Sequence, residues 1–168
     1  MLKLGSWQFG LLIGLVLLGL MIMLAAMPLI DRPPLEGPAT SASVMGAIMT
    51  SLPPHVVLWM TFQDYIIFAS LLFVLWRKEA QIYALGPIAS HIFLFALLPF
   101  VPVDKVSVGF AALSHWLWAV PLYLLIRAWP QIDKKTGFGV WITLAIAQLS
   151  ISLVFDLRDG AKFLLSFL

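Results

Sequence analysis

Cysteine is absent from this chain, and charged residues are scarce. Without cysteine, the chain can form no disulfide, thiolate nucleophile, iron–sulfur cluster or cysteine-ligated zinc site. Only 11% of the 168 residues are charged. By contrast, 62% are apolar, against about 45–50% in soluble domains. So few charges cannot cover a water-facing surface, which predicts an integral membrane protein surrounded by membrane lipids.

The basic residues do not form a patch. The formal net charge is +2, and Lys and Arg lie scattered at the ends of apolar segments. Because nucleic-acid binding needs clustered basic residues, we expect no nucleic-acid partner. The chain also lacks the G-x-S-x-G, Walker A, G-x-G-x-x-G and H-E-x-x-H patterns. A hydrolase, nucleotide-binding or zinc-protease site therefore has no sequence support.

Five apolar segments are each long enough to cross the roughly 30 Å hydrocarbon core of a bilayer as a helix. They comprise residues 7–30, 56–76, 82–101, 108–128 and 138–155. The breaks between the last four are short, so helices that are neighbours in sequence should pack antiparallel. The sequence thus predicts an all-α bundle of five transmembrane helices, with residues 1–168 forming one domain.

Basic residues near the segment ends predict the orientation. With a cytoplasmic N-terminus, six Lys and Arg residues lie on the cytoplasmic side and four on the external side. Four tryptophans also fall near the predicted cytoplasmic boundary, where an amphipathic indole is favoured: Trp7, Trp76, Trp129 and Trp141. These two signals favour an N-in topology, which suits a bacterial inner membrane.

Two segments lie outside the predicted spans. The external loop 31–55 encloses an apolar stretch rich in small residues, which predicts a short interfacial helix with Thr40 or Ser41 as N-cap. This helix could either pack on the bundle or cover an external cavity. Charged residues from position 156 onward predict that the last helix ends at Phe155 and that an interfacial tail, 156–168, follows.

Two prolines fall in the interior of predicted spans, more than two residues from either end. Pro87 lies in the third span and Pro121 in the fourth. Each removes a backbone hydrogen-bond donor and crowds the carbonyl four residues earlier, so each can kink its helix.

Polar side chains inside the spans are rare, and Asp64 is the only acidic one. A charged carboxylate at the bilayer centre costs about 2.5–3.5 kcal/mol on insertion scales, so it needs a partner or a proton. Depth counted at about 1.5 Å per residue from the predicted external ends places four residues in one layer: Asp64, His91, His115 and Gln148. Helical spacing adds four candidates to line a pocket there: Thr61, Trp116, Trp118 and Ser152.

Several roles stay open for this layer. The simplest is structural, with polar side chains hydrogen-bonding between helices. In a proton or ion pathway, Asp64 and a histidine would exchange a proton. A transition-metal site could use Asp64, His91 and His115 as its ligands. His91 and His115 could also ligate haem, although adjacent helices about 8–10 Å apart leave little room for a porphyrin.

The sequence favours a non-enzymatic accessory or binding subunit of a larger membrane complex. Small size, short loops and an apolar C-terminal tail are typical of a protein that works beside another membrane protein. In this hypothesis the polar layer binds a small ligand, with neither haem nor a transition metal favoured as cofactor. One alternative is a proton-linked transporter. Another is a membrane enzyme that uses Asp64 and a histidine as acid and base on a lipid or isoprenoid.

Overall fold

A computed structural model describes residues 6–26 and 39–168 of the chain. These residues form helices joined by turns, without a strand, and the predicted all-α fold is confirmed. The seven α-helices of the described part are α1 (Ser6–Ala26), α2 (Ser41–Thr50), α3 (Pro54–Ser70), α4 (Lys78–Leu97), α5 (Val108–His115), α6 (Ala119–Ala128) and α7 (Gly137–Leu165). The end of the predicted first span and the start of the predicted external loop lie outside the described residues.

Three helical units of the described chain are long and apolar enough to cross a membrane: Lys78–Phe100, Val108–Gln131 and Gly137–Leu165. The pair formed by α2 and α3 is bent by 99°, and it adds a fourth crossing only if the two helices count as one span. The apolar stretch Gly10–Gly19 of α1 is shorter. These helices indicate an integral membrane protein. Five spans and a cytoplasmic N-terminus stay predictions.

The tryptophans predicted at the cytoplasmic boundary differ in exposure. Trp7, Trp76 and Trp129 are exposed, as boundary residues would be. Trp141 is buried, and its Nε1 donates a 3.0 Å hydrogen bond to the Ile66 carbonyl on α3. Trp141 therefore packs inside the bundle, and its position in the sequence carries no information about orientation.

The two prolines inside helices have different effects. Pro121 cannot donate to the carbonyl of Leu117. Here the chain passes from α5 to α6 through a short 3-10 turn, Trp116–Trp118. In contrast, α4 continues as an α-helix through Pro87. Of these two prolines, only Pro121 thus lies next to an interruption of its α-helix.

The short helix α2 begins at a capping box. The Thr40 hydroxyl accepts a hydrogen bond from the Ser43 backbone at 3.2 Å, and the Ser43 hydroxyl accepts one from the Thr40 backbone at 2.9 Å. The predicted helix with Thr40 as N-cap is confirmed, while its interfacial location stays a prediction. The Ser41 hydroxyl donates to the Val101 carbonyl at 2.5 Å, so α2 packs on the turn that follows α4.

The last helix is longer than predicted. We expected it to end at Phe155, but α7 runs without a break to Leu165, so that boundary was wrong. Charged residues are accommodated in this stretch because Arg158 forms two hydrogen bonds with Asp159, at 2.8 and 3.1 Å. Packing also stabilises this part of α7, since the Trp116 ring lies directly over Gly160. A Cβ added at Gly160 would lie 2.8 Å from Nε1 of Trp116.

Within the part of the chain that the structure describes, two clusters of buried apolar side chains form the core. The larger joins α1, α3, α4, α6 and α7, with the turns between them, and includes Leu17, Tyr83, Leu125, Ile142 and Leu149. The smaller lies where α2 and α5 meet the end of α7, and consists of Met45, Leu98, Val106, Phe110 and Phe163.

Candidate functional site

A buried network of polar side chains connects α3, α4 and α7. The Tyr83 hydroxyl donates a 2.8 Å hydrogen bond to Oε1 of Gln148, whose Nε2 lies 3.5 Å from the Ser152 hydroxyl. Nε2 of Gln63 donates to the same hydroxyl. Tyr83, Gln148 and Ser152 are buried. The chain of contacts thus links three helices, and its members on α4 and α7 are shielded from water.

Sequence analysis identified Gln148 and Ser152 but missed their two partners. Tyr83 lies one residue inside the predicted start of its span, where a tyrosine is typical of the membrane boundary. Gln63 lies beside Asp64, and the charge of Asp64 indicated a different face of the helix from the one on which Gln63 lies. Gln63 and Ser70 are seven residues apart, on the same side of α3. That spacing is the sequence signal that could have identified the buried face.

Asp64 does not belong to this network. Its side chain is exposed, as are those of Thr61 and Tyr65 beside it. The Thr61 hydroxyl donates to the Val57 carbonyl of its own helix at 2.9 Å, and its role as a pocket residue stays a prediction. Within the described ranges, no Lys, Arg or His forms an ion pair with Asp64. The expected contact of Asp64 with a histidine is therefore not formed.

His115 pairs instead with Asp156. Nδ1 of His115 lies 3.1 Å from Oδ2 of Asp156, and the imidazole stacks on the Trp118 ring with centroids 4.4 Å apart. Nε1 of Trp116 donates to the Asp156 backbone carbonyl at 3.0 Å. The 3-10 turn Trp116–Trp118 thus places His115 and Trp116 against one turn of α7, with Trp118 stacked on the histidine. Asp156 was missed because we assigned it to the tail.

Trp118 is buried and packs between helices, while its role as a pocket residue stays a prediction. Its ring lies between His115 and Gly86, where an added Cβ would be 3.3 Å from Cδ1 of the indole. Among the residues that the structure describes, none accepts a hydrogen bond from the Trp118 Nε1. Trp118 therefore joins α4 to the turn between α5 and α6 through ring contacts.

His91 lies beside this pair on α4. Its Nδ1 is 2.7 Å from the Pro87 carbonyl of its own helix, and its ring packs near Phe95. Asp64, His91 and His115 do not come together as a ligand set, because in the described part of the chain no three His, Asp or Glu side chains converge. The haem hypothesis, which needs only His91 and His115, stays a hypothesis.

The residues that were predicted to form one layer lie at two different depths along the bundle. Gln148 contacts Tyr83, whereas the His115 partner Asp156 lies eight residues further along α7, about 12 Å away. His91 is likewise eight residues beyond Tyr83 on α4. The predicted layer differs from this arrangement because the depth of Gln148 was counted from a predicted helix end at Phe155. In addition, equal depth does not set the direction in which a side chain points.

No family model, curated protein or solved structure matches this chain. The functional argument therefore rests on the geometry just described.

Proposed function

We propose that this protein is an accessory subunit of a larger membrane complex, and that it binds a membrane-embedded partner through the face of α3 around Asp64. The observation that carries this proposal is the outward-facing Asp64 carboxylate, which forms no ion pair within the described chain. A charged group in hydrocarbon is costly, and such groups normally face protein or a water-filled cavity. A partner that supplies a cation or hydrogen-bond donors would remove this cost.

The surroundings of Asp64 support a helical partner. Val57, Thr61, Asp64 and Phe68 follow one another at intervals of four, three and four residues, and all four are exposed. This spacing is that of the contact face of packed helices, with Asp64 near the middle. Exposed apolar side chains alone would suit lipid equally well. The carboxylate is what favours a protein, and its chemistry calls for a transmembrane helix with Lys, Arg, His or an amide at the same depth.

The contacts favour this role over the two alternatives. A proton-linked transporter or an acid–base enzyme built on Asp64 needs a histidine beside it, but His115 contacts Asp156 and His91 contacts its own helix. The groups of the Tyr83–Gln148–Ser152 network bond to one another. This favours an interhelical structural role over ligand binding.

Site-specific crosslinking in the native membrane tests the proposal. A photoreactive amino acid at Tyr65, which is 69% exposed beside Asp64, should give an adduct with a membrane protein. We expect Asp64→Leu to abolish that adduct and Asp104→Asn, outside α3, to leave it intact. The matched probe at Val154, 67% exposed on α7, should give no such adduct.

A charge exchange makes the test specific. If the adduct identifies a transmembrane Lys or Arg, Asp64→Lys combined with an aspartate at that partner position should restore crosslinking, since the pair is re-formed in reverse. An adduct unaffected by Asp64→Leu would overturn the proposal. A chain that purifies as a monomer, without a membrane partner, and shows flux or turnover alone would also overturn it.

A further inference from the structure

A groove of about 520 Å³ opens at the end of the bundle where α7 terminates. It lies between the turn after α4, the start of α5 and the last two turns of α7. The apolar run of α7 from Gly137 to Phe155 is about 28 Å long as a helix, close to the thickness of the hydrocarbon core. Asp159 and Lys162, which line the groove, follow within two turns. If this apolar run of α7 crosses the hydrocarbon core, the groove lies at the level of the lipid headgroups.

The groove carries two cations with free bonding capacity. Lys105 uses one N–H on the Ser166 carbonyl and, as an ammonium, has two more. The Lys162 side chain is 70% exposed and lies 4.0 Å from Asp159. Asp159 is already neutralised by its two hydrogen bonds from Arg158. An anion in the groove can thus contact both lysines.

An exposed carboxylate, that of Asp104, lies near these lysines. Asp104 lines the same groove, its side chain is exposed, and no ion pair involves it within residues 6–26 and 39–168. Phe163 and Val108 supply an apolar part of the lining. Beyond them, Leu164 and Leu165 are exposed along α7. Positive, negative and apolar surfaces therefore meet at one site.

We propose that this groove binds the headgroup of a phospholipid that carries a primary ammonium, such as phosphatidylethanolamine. Lys105 and Lys162 bind the phosphate through charge-assisted hydrogen bonds, and Asp104 binds the ammonium. The Ser107 hydroxyl, which makes no capping bond at the start of α5, offers one more donor. The acyl chains extend over Phe163 and the exposed leucines. This site is separate from the Asp64 face and does not depend on a protein partner.

Headgroup chemistry predicts an order of binding. Phosphatidylcholine has the same charges but no N–H donor for Asp104, and phosphatidylglycerol has no cation at all. Native mass spectrometry of the full chain in detergent, titrated with the three lipids carrying identical acyl chains, measures the relative affinities. We expect phosphatidylethanolamine to bind at least about tenfold more tightly than the other two, the difference expected for one charge-assisted hydrogen bond.

Two substitutions separate the contacts. Lys162→Gln should weaken all three lipids by a similar factor, because each has a phosphate. Asp104→Asn should weaken phosphatidylethanolamine the most, because it removes the hydrogen bond as well as the charge attraction, and should bring it to the level of phosphatidylcholine. Lys135→Gln is the matched control, since Lys135 is an exposed lysine in the loop before α7. Circular dichroism of each variant establishes that the fold is retained.

Three results would overturn the proposal. Equal binding of the three lipids would remove the role of Asp104. An equal effect of Lys162→Gln and Lys135→Gln would show that the lipids bind elsewhere. Displacement of phosphatidylethanolamine by equimolar inorganic phosphate would identify a site for free phosphate rather than for a lipid.

Discussion

Tyr83 on α4 donates a 2.8 Å hydrogen bond to the side-chain oxygen of Gln148 on α7, and both side chains are almost completely buried. Neither group has access to bulk water, so the hydroxyl and the amide oxygen satisfy each other's hydrogen-bonding capacity. Interhelical hydrogen bonds in membranes contribute about 0.6 kcal/mol on average and up to about 1.7 kcal/mol. Breaking one by removing a single partner costs more, because the other group stays buried without a bond.

Tyr83→Phe tests this contact. The substitution keeps the ring and removes only the hydroxyl, so Oε1 of Gln148 loses its donor. We expect the free energy of unfolding in detergent to fall by about 1–3 kcal/mol. Tyr65→Phe is the control, because that tyrosine is 69% exposed, and its effect should stay within about 0.5 kcal/mol. Equal stabilities of the two variants would show that the hydroxyl contributes nothing.

Gly109→Ala tests the close approach of α5 and α7. An added Cβ would lie 2.5 Å from the Asp159 carbonyl oxygen, a distance that backbone atoms cannot relieve without separating the helices. We expect a loss of about 1–3 kcal/mol in the unfolding free energy. Gly19→Ala is the matched control in α1, where a Cβ would meet no atom of the described residues within 4 Å. Alanine should stabilise that helix by up to about 1 kcal/mol, since glycine is a poor helix former.

The His115–Asp156 pair is suited to a double-mutant cycle. His115→Phe keeps an aromatic ring stacked on Trp118, and Asp156→Asn keeps the shape of the carboxyl group. If the 3.1 Å contact stabilises the junction of α5 and α7, the two effects on unfolding free energy should be coupled by about 0.5–3 kcal/mol. Strictly additive effects would mean that the pair adds no stability.

Asp64→Leu separates a role in binding from a role in internal packing. No ion pair inside the described chain is lost in this variant, and an unpaired carboxylate is removed from an apolar face. We expect the melting temperature of the isolated protein in detergent to stay the same or rise, while the partner adduct disappears. A drop in melting temperature as large as that of Tyr83→Phe would instead place Asp64 among the residues that hold the bundle together.

Part of the candidate site followed from the sequence. Gln148 and Ser152 are buried polar residues in a helix, and a bilayer leaves such groups few options other than bonding to protein. Their partners Gln63 and Tyr83 come from helices distant in sequence. Depth counting places residues along an axis, but it does not set the rotation of the helix about that axis. Asp64 and Gln63 differ by one residue and by about 100° of rotation, which sends one side chain outward and the other inward.

The sequence by itself indicated that the chain is surrounded by lipid, that it folds into helices and that α2 begins near Thr40. Composition decides the first two because an apolar chain in lipid must satisfy its backbone within helices, and the Thr40–Ser43 box is a local interaction. Only the tertiary structure decided how far α7 extends, which face of α3 is buried and which residue pairs with His115. These features depend on contacts between residues far apart in the chain, such as Trp116 with Gly160 and His115 with Asp156, because packing against a neighbouring helix outweighs local preference.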